Sequence, residues 1–366
     1  MWNRKIFTVL FFTLTAYSAT AQLSSTAEIT MMHKNAQQYM ERGNVNDAIS
    51  TYKQLLNLRP NNTGIATELG NALYIKGEYE QAITVLSPLP ANSDASDSVY
   101  RLLALSQSAL QYHKKAAETL KRGIGRFPHS GILFFEQGNR YMTQKNEQEA
   151  TEAWLNGILA APDFAPNYKN IAASFMSSTQ PQWGIICGEQ YLLMPHDTTG
   201  DDAFKKDLFD CWKNFFNNIT TLTDDNVGAK DMIDIYQQLT PVVSDGISVE
   251  NLTMVRTRFL MTWMRTGTQM DTKTKSEQKI FLHTFTPGLF TYQEKLIKEG
   301  LFDIYDEWLF GKAESNTMYE AWNKFHPDDM AKFEKWHTEN RFAPASLRFI
   351  PSVPIIEATF DKKKKR

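Results

Sequence analysis

The sequence predicts an all-α protein whose N-terminal half is a stack of helical repeats and whose C-terminal half is a second helical domain. Three observations predict this class. Small residues recur every 34 residues along the first half of the 366-residue chain. Apolar residues recur three or four positions apart in both halves, as on the packed face of a helix. Glycine and proline fall at regular offsets between these stretches, where helices end.

The first 21 residues have the composition of a cleavable signal peptide. Arg4 and Lys5 precede a mostly apolar run over residues 6–16, and Ala-Thr-Ala at residues 19–21 supplies the small residues that signal peptidase requires. The alternative is a membrane anchor, which needs about 20 apolar residues. This run is shorter and contains three threonines. We therefore expect an exported protein, periplasmic or secreted, without membrane insertion after cleavage.

Several columns of residues carry the 34-residue period. The reference column holds a small residue in five successive units: Ala48, Ala82, Ala116, Ala150 and Gly184. Twelve residues later proline occurs in three units: Pro60, Pro128 and Pro162. Five residues before the reference position, glycine occurs in the first two repeat units: Gly43 and Gly77. Small residues let two helices approach closely, glycine permits a tight turn, and proline ends the second helix.

This pattern resembles the tetratricopeptide repeat family. The helix-turn-helix signature of the family is clearest in Leu69-Gly70, Leu73, Gly77, Tyr79 and Ala82, and again in Gly138, Tyr141, Ala150, Trp154 and Pro162. The resemblance implies a right-handed superhelix of about five helix-turn-helix units over residues 22–196. The fifth unit departs from the pattern, because Gly184 replaces alanine and Pro181 lies in its turn. We expect it to lead into the next domain.

In such solenoids the partner generally binds the concave surface, which the first helix of each unit provides. The resemblance gives these candidate partner-binding residues: Asn71, Tyr74, Arg101, Phe135, Asn139, Met142 and Lys169. Asn71 and Asn139 hold the same repeat position, where relatives use asparagine to hydrogen-bond a peptide backbone. Arg101 and Lys169 are too few cations for the carboxylate clamp of chaperone-binding relatives, so we expect no specific capture of an acidic C-terminus. The alternative is an ordinary solvated surface.

The 34-residue register ends before residue 197, but helical periodicity continues towards residue 345. Helices are expected at 201–216, 229–239, 249–265, 276–285, 291–310, 315–324 and 327–340. Ten aromatic residues concentrate there: Phe302, Tyr305, Trp308, Phe310, Tyr319, Trp322, Phe325, Phe333, Trp336 and Phe342. We interpret them as a buried core, and a platform for stacking a sugar or peptide is the alternative. Residues 346–366 are expected to be extended, with a basic end.

Composition and motifs argue against several function classes. The formal net charge of -2 gives no reason to expect nucleic acid as a partner. The sequence lacks G-x-S-x-G, H-E-x-x-H, G-x-G-x-x-G and a phosphate loop. We therefore expect no catalytic residues, no cofactor and no metal site. Cys187 and Cys211 are the two cysteines; in an exported protein they form a disulfide or remain buried thiols.

Together these features predict a non-enzymatic adaptor or scaffold of the cell envelope that binds a protein or peptide partner on the concave face. One alternative is a glycan-binding or enzymatic domain in residues 198–345, with the repeats as its targeting arm. Another is a structural scaffold that self-associates through the repeats.

Overall fold

The structure is a computed structural model that describes residues 26–224, 227–269 and 288–344. These residues form α-helices, short helical turns of other types and loops, with no β-strand among them. The all-α prediction is confirmed. Contacts divide the chain into two compact units, Met1–Pro128 and His129–Arg366. Within the described ranges, no helix has the length and apolar character needed to cross a membrane.

Three predicted segments fall outside the described residues. They are the signal peptide at residues 1–21, the helix at 276–285 and the extended tail at 346–366. These three expectations stay predictions.

The first unit is built from helices that pack against their neighbours along the chain. In its described part these are α1 (26–41), α2 (Val45–Leu58), α3 (Thr63–Lys76), α4 (Tyr79–Leu86), α5 (Asp97–Ala109) and α6 (His113–Arg126). The repeat alanines Ala48, Ala82 and Ala116 are fully buried. A Cβ atom added at Gly70 would lie 2.5 Å from Leu86. The small residues of the repeat therefore sit where helices pack most closely.

The turn inside each helix pair has the same backbone conformation in four successive repeats. Gly43 and Gly77 have φ values of 76° and 84°, in the left-handed region that glycine tolerates. Gln111 and Lys145, at the same repeat position, have φ values of 60° and 63°. These are the two non-glycine residues with positive φ in the described chain. The turn thus persists in the third and fourth repeats without the glycine that marks it in the first two repeats.

The second unit contains the remaining helices of the described chain. They are α7 (Gly131–Thr143), α8 (Glu147–Ala160), α9 (Ala165–Met176), α10 (Pro181–Leu193), α11 (Asp201–Asn218), α12 (Val227–Gln238), α13 (Val249–Gln269), α14 (Gly288–Lys298), α15 (302–314), α16 (Asn316–Phe325) and α17 (Pro327–Glu339). The middle of α15, Glu307–Gly311, is a π-helical turn. The single helix predicted at 291–310 is wrong. Gly300, with φ 65°, separates α14 from α15.

The last predicted repeat is part of the second unit's core. Every residue of α10 is buried, and the hydrophobic cluster that contains it extends from Ala150 to Phe342. We predicted a domain boundary between residues 196 and 197, whereas the compact units divide at Pro128. The difference arises because the repeat period marks where a sequence pattern ends, while packing continues beyond that point.

The aromatic residues of the C-terminal half mainly form core. Phe302, Tyr305, Phe310, Phe333 and Phe342 are buried. Trp308, Tyr319, Trp322 and Trp336 are partly buried and pack against that cluster. Phe325 is the exception, because it is 78% exposed at the end of α16. The core interpretation is confirmed for nine of the ten and wrong for Phe325.

Candidate functional site

Helices α7, α8 and α9 are held together by small residues that leave no space for a larger side chain. A Cβ atom on Gly138 would lie 2.2 Å from Nε1 of Trp154. That indole nitrogen donates to the backbone carbonyl of Phe135 (3.3 Å). The amide of Asn167 similarly donates to the Gly131 carbonyl (3.1 Å) and is fully buried. These contacts fix the positions of the side chains on the accessible edges of the three helices.

A cleft of about 260 Å³ opens between these helices. Its polar lining consists of Asn139, Glu147, Asn170, Ser174 and Ser177, and its apolar lining of Met142, Trp154 and Ala173. All eight belong to the second unit. The cleft therefore combines hydrogen-bonding side chains with an apolar surface.

A pair of amides forms the polar centre of the cleft. Nδ2 of Asn170 donates to Oδ1 of Asn139 (2.9 Å). An amide side chain carries two N–H donors and an oxygen acceptor. This bond leaves the amide nitrogen of Asn139 as a donor and the amide oxygen of Asn170 as an acceptor. A donor and an acceptor side by side match the C=O and N–H of a peptide backbone.

The cleft brings together two of the seven candidate partner-binding residues, Asn139 and Met142. The Met142 side chain is 45% exposed. Two other candidates of the second unit, Phe135 and Lys169, do not line the cleft and contact neighbouring rings. Phe135 packs edge-on against the Phe164 ring at 6.0 Å, and the Lys169 ammonium lies 5.0 Å from the Tyr191 ring centroid.

The other three candidates, Asn71, Tyr74 and Arg101, belong to the first unit. All three are half-buried. The Tyr74 ring packs against Tyr79 with 5.6 Å between centroids. Asn71 stays a binding prediction that rests on its repeat position.

Sequence reasoning missed Asn170 and Glu147. Asn170 follows Lys169, which was selected from the repeat pattern, and its neighbour across the cleft is Asn139 in the preceding unit. A pattern within single repeats does not identify a pair formed between two repeats. Glu147 lies in the first turn of α8, on the second helix of its unit, whereas only first helices were considered.

The two cysteines are separate thiols in the structure. Cys187 and Cys211 are both buried and free, so the disulfide alternative is not observed. The Cys211 thiol donates to the Pro181 carbonyl (3.7 Å). Burial raises the pKa of each thiol to about 12. Both therefore act as small core residues.

A buried charged network joins three helices of the second unit. The guanidinium of Arg256 on α13 donates to Glu189 on α10 and to Asp306 on α15. All three side chains are almost fully buried. Glu189 Oε2 also accepts from Gln293 Nε2 (2.8 Å) and from the Tyr305 hydroxyl (3.0 Å). The network connects the last repeat helix to the C-terminal helices.

The network contains one cation and two carboxyl groups, so one carboxyl group is expected to hold a proton. Burial raises the pKa of Asp306 to about 7, although Arg256 acts in the opposite direction. Burial also raises the pKa of Glu189, and Arg256 again opposes it. Glu189 accepts three hydrogen bonds, whereas Oδ2 of Asp306 has no partner among the described residues. Asp306 is therefore the group that protonates first.

In the described part of the chain, no cluster of three or more histidine, cysteine or carboxylate side chains is placed to hold an ion.

Comparison with known proteins supports the repeat interpretation. Residues 39–105 match the family model described as a tetratricopeptide repeat. Human protein O-mannosyl-transferase TMTC1 is 23% identical over 137 residues, which cover 36% of this chain and 16% of the relative. The mouse protein of the same name is 24% identical over 120 residues, 32% of this chain and 13% of the relative. The chain thus spans less than a fifth of the length of the curated relatives it matches.

Solved structures with similarity to this chain include repeat proteins. A tetratricopeptide repeat protein of Thermus thermophilus is 16% identical, with a TM-score of 0.43, covering 49% of this chain and 98% of its own. MamA is 23% identical with a TM-score of 0.33, over 38% of this chain and 82% of its own. The described residues thus have an all-α fold, and the match to the tetratricopeptide repeat model lies within residues 39–105.

Proposed function

We propose that this protein is an adaptor that binds an extended segment of a partner protein in the cleft between α7, α8 and α9. The observation that carries the proposal is the Asn139–Asn170 amide pair. It offers one donor and one acceptor next to each other on a surface lined by serine and apolar side chains. Such a surface binds a backbone without requiring one particular side chain.

The size of the cleft is compatible with part of a peptide segment. Pockets for small molecules have volumes of roughly 300–1,000 Å³, and this cleft has about 260 Å³. A volume of this order suits one or two residues of a longer segment that continues over the helix surfaces.

The proposal includes export to the cell envelope and a non-enzymatic role. Export rests on the charged, apolar and small-residue order of residues 1–21. The C-terminal helices would then serve as a rigid support for the cleft, because their core is continuous with α8, α9 and α10. A fusion of residues 1–30 to a reporter that is active only outside the cytoplasm tests export; absence of reporter activity would contradict it.

Photocrosslinking tests the cleft directly. A photoreactive residue at Met142, which lines the cleft and is 45% exposed, should capture a discrete partner from native extract. The control site is Leu159 on α8, which is 51% exposed but does not line the cleft. Capture at neither site, or equally at both, would contradict binding in the cleft. Capture of a second copy would instead favour a self-associating scaffold.

Amide substitutions then measure the contribution of the pair. Asn139→Ala or Asn170→Ala should each weaken binding roughly two- to tenfold, the effect of one lost hydrogen bond. Asn156→Ala on the exposed face of α8 is the matched control, because this amide does not line the cleft. Equal affinities for all three variants and the unmodified protein would refute the role of the pair.

A further inference from the structure

The charge of the α7–α9 cleft comes from one side chain. Among the eight lining residues, Glu147 is the ionisable one. Its side chain is exposed, and none of the ion pairs found in the described ranges includes its carboxylate. The cleft therefore presents, beside the amide pair, a negative charge that forms no ion pair with the described residues.

The nearest cations along the chain do not line the cleft. The Arg140 guanidinium lies 4.5 Å from the Tyr141 ring centroid and donates to Gln144 Oε1 (3.3 Å). Lys145 lies in the turn before α8 and is exposed. It will screen Glu147 in part, as a mobile charge in solvent does.

Helix α8 has the same sign of charge outside the cleft. Glu149 and Glu152 are exposed on it, and its sequence contains no lysine or arginine. Helix α8 therefore carries only negative side-chain charges, which favour a cationic ligand and disfavour an anionic one.

The apolar lining completes a site for a long cationic side chain. Met142 is unbranched and polarisable, and such side chains adapt to the shape of a neighbouring group. Lysine and arginine place their methylene stems on apolar surface while the charged end stays in water. Met142 and Glu147 on one cleft supply the two surfaces that such a side chain needs.

We propose that the segment bound in this cleft carries a lysine or arginine whose cation pairs with Glu147 while its methylene stem packs on Met142. The inference rests on the proposed function and adds the class of partner: a basic segment, not an acidic one. Because an exposed ion pair contributes little, the carboxylate should account for about two- to fivefold in affinity, and salt should reduce the effect.

A display selection with random short peptides on the full chain tests this inference. Peptides that bind the unmodified protein are first sorted by whether they lose affinity for the Asn139→Ala and Asn170→Ala variants. The cleft-dependent peptides are then measured on Glu147→Gln and on the control Glu149→Gln, which removes the same charge from the same helix outside the cleft lining.

The expected result is that cleft-dependent peptides are enriched in lysine and arginine. They should bind Glu147→Gln about two- to fivefold more weakly and bind Glu149→Gln with little change. Cleft-dependent peptides without cationic enrichment, or with equal affinity for both variants, would overturn the inference and leave the proposed function intact. If no selected peptide depends on the amide pair, the proposed function fails and the inference falls with it.

Discussion

Replacing Asp306 by asparagine tests the protonation of the buried network that joins α10, α13 and α15. Asparagine has nearly the shape of a protonated aspartic acid, so the variant retains a group that can accept from Arg256. It removes the titration of the carboxyl group. Comparison of the two proteins across pH therefore reports the titration of this carboxyl group together with its coupling to Glu189.

The expected difference in free energy of unfolding follows from the pKa of Asp306, which burial raises from 3.8 to about 7 in the folded protein. Between these values the folded state holds a proton that the unfolded state has released. The stabilising effect is fully present below the unfolded pKa and is lost as pH rises through the folded pKa. The free energy of unfolding of the unmodified protein, relative to Asp306→Asn, should fall by roughly 1.4 kcal/mol per pH unit in this window.

Urea unfolding of the full chain at several pH values measures this difference, with tryptophan fluorescence as the signal. Asp303→Asn is the matched control, because Asp303 is an exposed acid on the same helix. The lowered pKa of the partly buried His337 changes stability in the opposite direction near neutral pH, but both proteins contain it, so it cancels. Parallel pH profiles for the unmodified protein and Asp306→Asn would refute the assignment of the proton to Asp306.

Two further predictions concern the repeat turn and the thiols. Gly77→Ala should lower the free energy of unfolding by about 1 kcal/mol, because alanine strains the left-handed backbone. No steric clash adds to this strain, since the new Cβ would meet nothing within 4 Å. Gln111→Gly should raise the free energy of unfolding by up to about 1 kcal/mol, and urea midpoints check both variants. Cys187 and Cys211 should resist a thiol reagent in the native protein near neutral pH, because burial raises both pKa values to about 12, and should react in denaturant without added reductant. Rapid native labelling, or no labelling after denaturation, would contradict buried free thiols.

The sequence was sufficient for the repeat because each column has a local physical cause. Ala48, Ala82 and Ala116 are fully buried where the period placed them. The turn was less visible, because Gln111 and Lys145 adopt the left-handed conformation without glycine. The same backbone hydrogen bonds close the turn with and without glycine: Tyr112 N–H donates to the Gln107 carbonyl and Asn146 N–H to the Tyr141 carbonyl, as Glu78 N–H does to the Leu73 carbonyl. A search for glycine alone does not find them.

The domain organisation was not predictable from periodicity. The contacts that tie α10 to later helices join residues far apart in sequence: Glu189 and Arg256 are 67 residues apart, and Arg256 and Asp306 are 50 apart. Each of these residues alone resembles an ordinary charged surface position. Only their meeting in the core gives them a structural role.

The candidate site was predictable only in part, because contacts between residues far apart in sequence also form it. Asn139 and Met142 were identified from their position on a first helix, and both line the cleft. Asn170 contacts Asn139 of the preceding repeat, so no pattern within a single repeat revealed it. The side chains of Phe135 and Lys169 face neighbouring rings, because helix faces that are open in an isolated unit become packed when the following helices are added.

Complete burial of α10 has a consequence for how the second unit opens. In a regular solenoid each repeat contacts only its neighbours, so units can unfold one after another from an end. The residues of α10 are buried on all sides, and Glu189, Gln182 and Trp183 bond to partners far along the chain. Amide hydrogens of α10 should therefore exchange with solvent only when the whole unit unfolds. We therefore expect the helices of the second compact unit to unfold together and not one repeat after another.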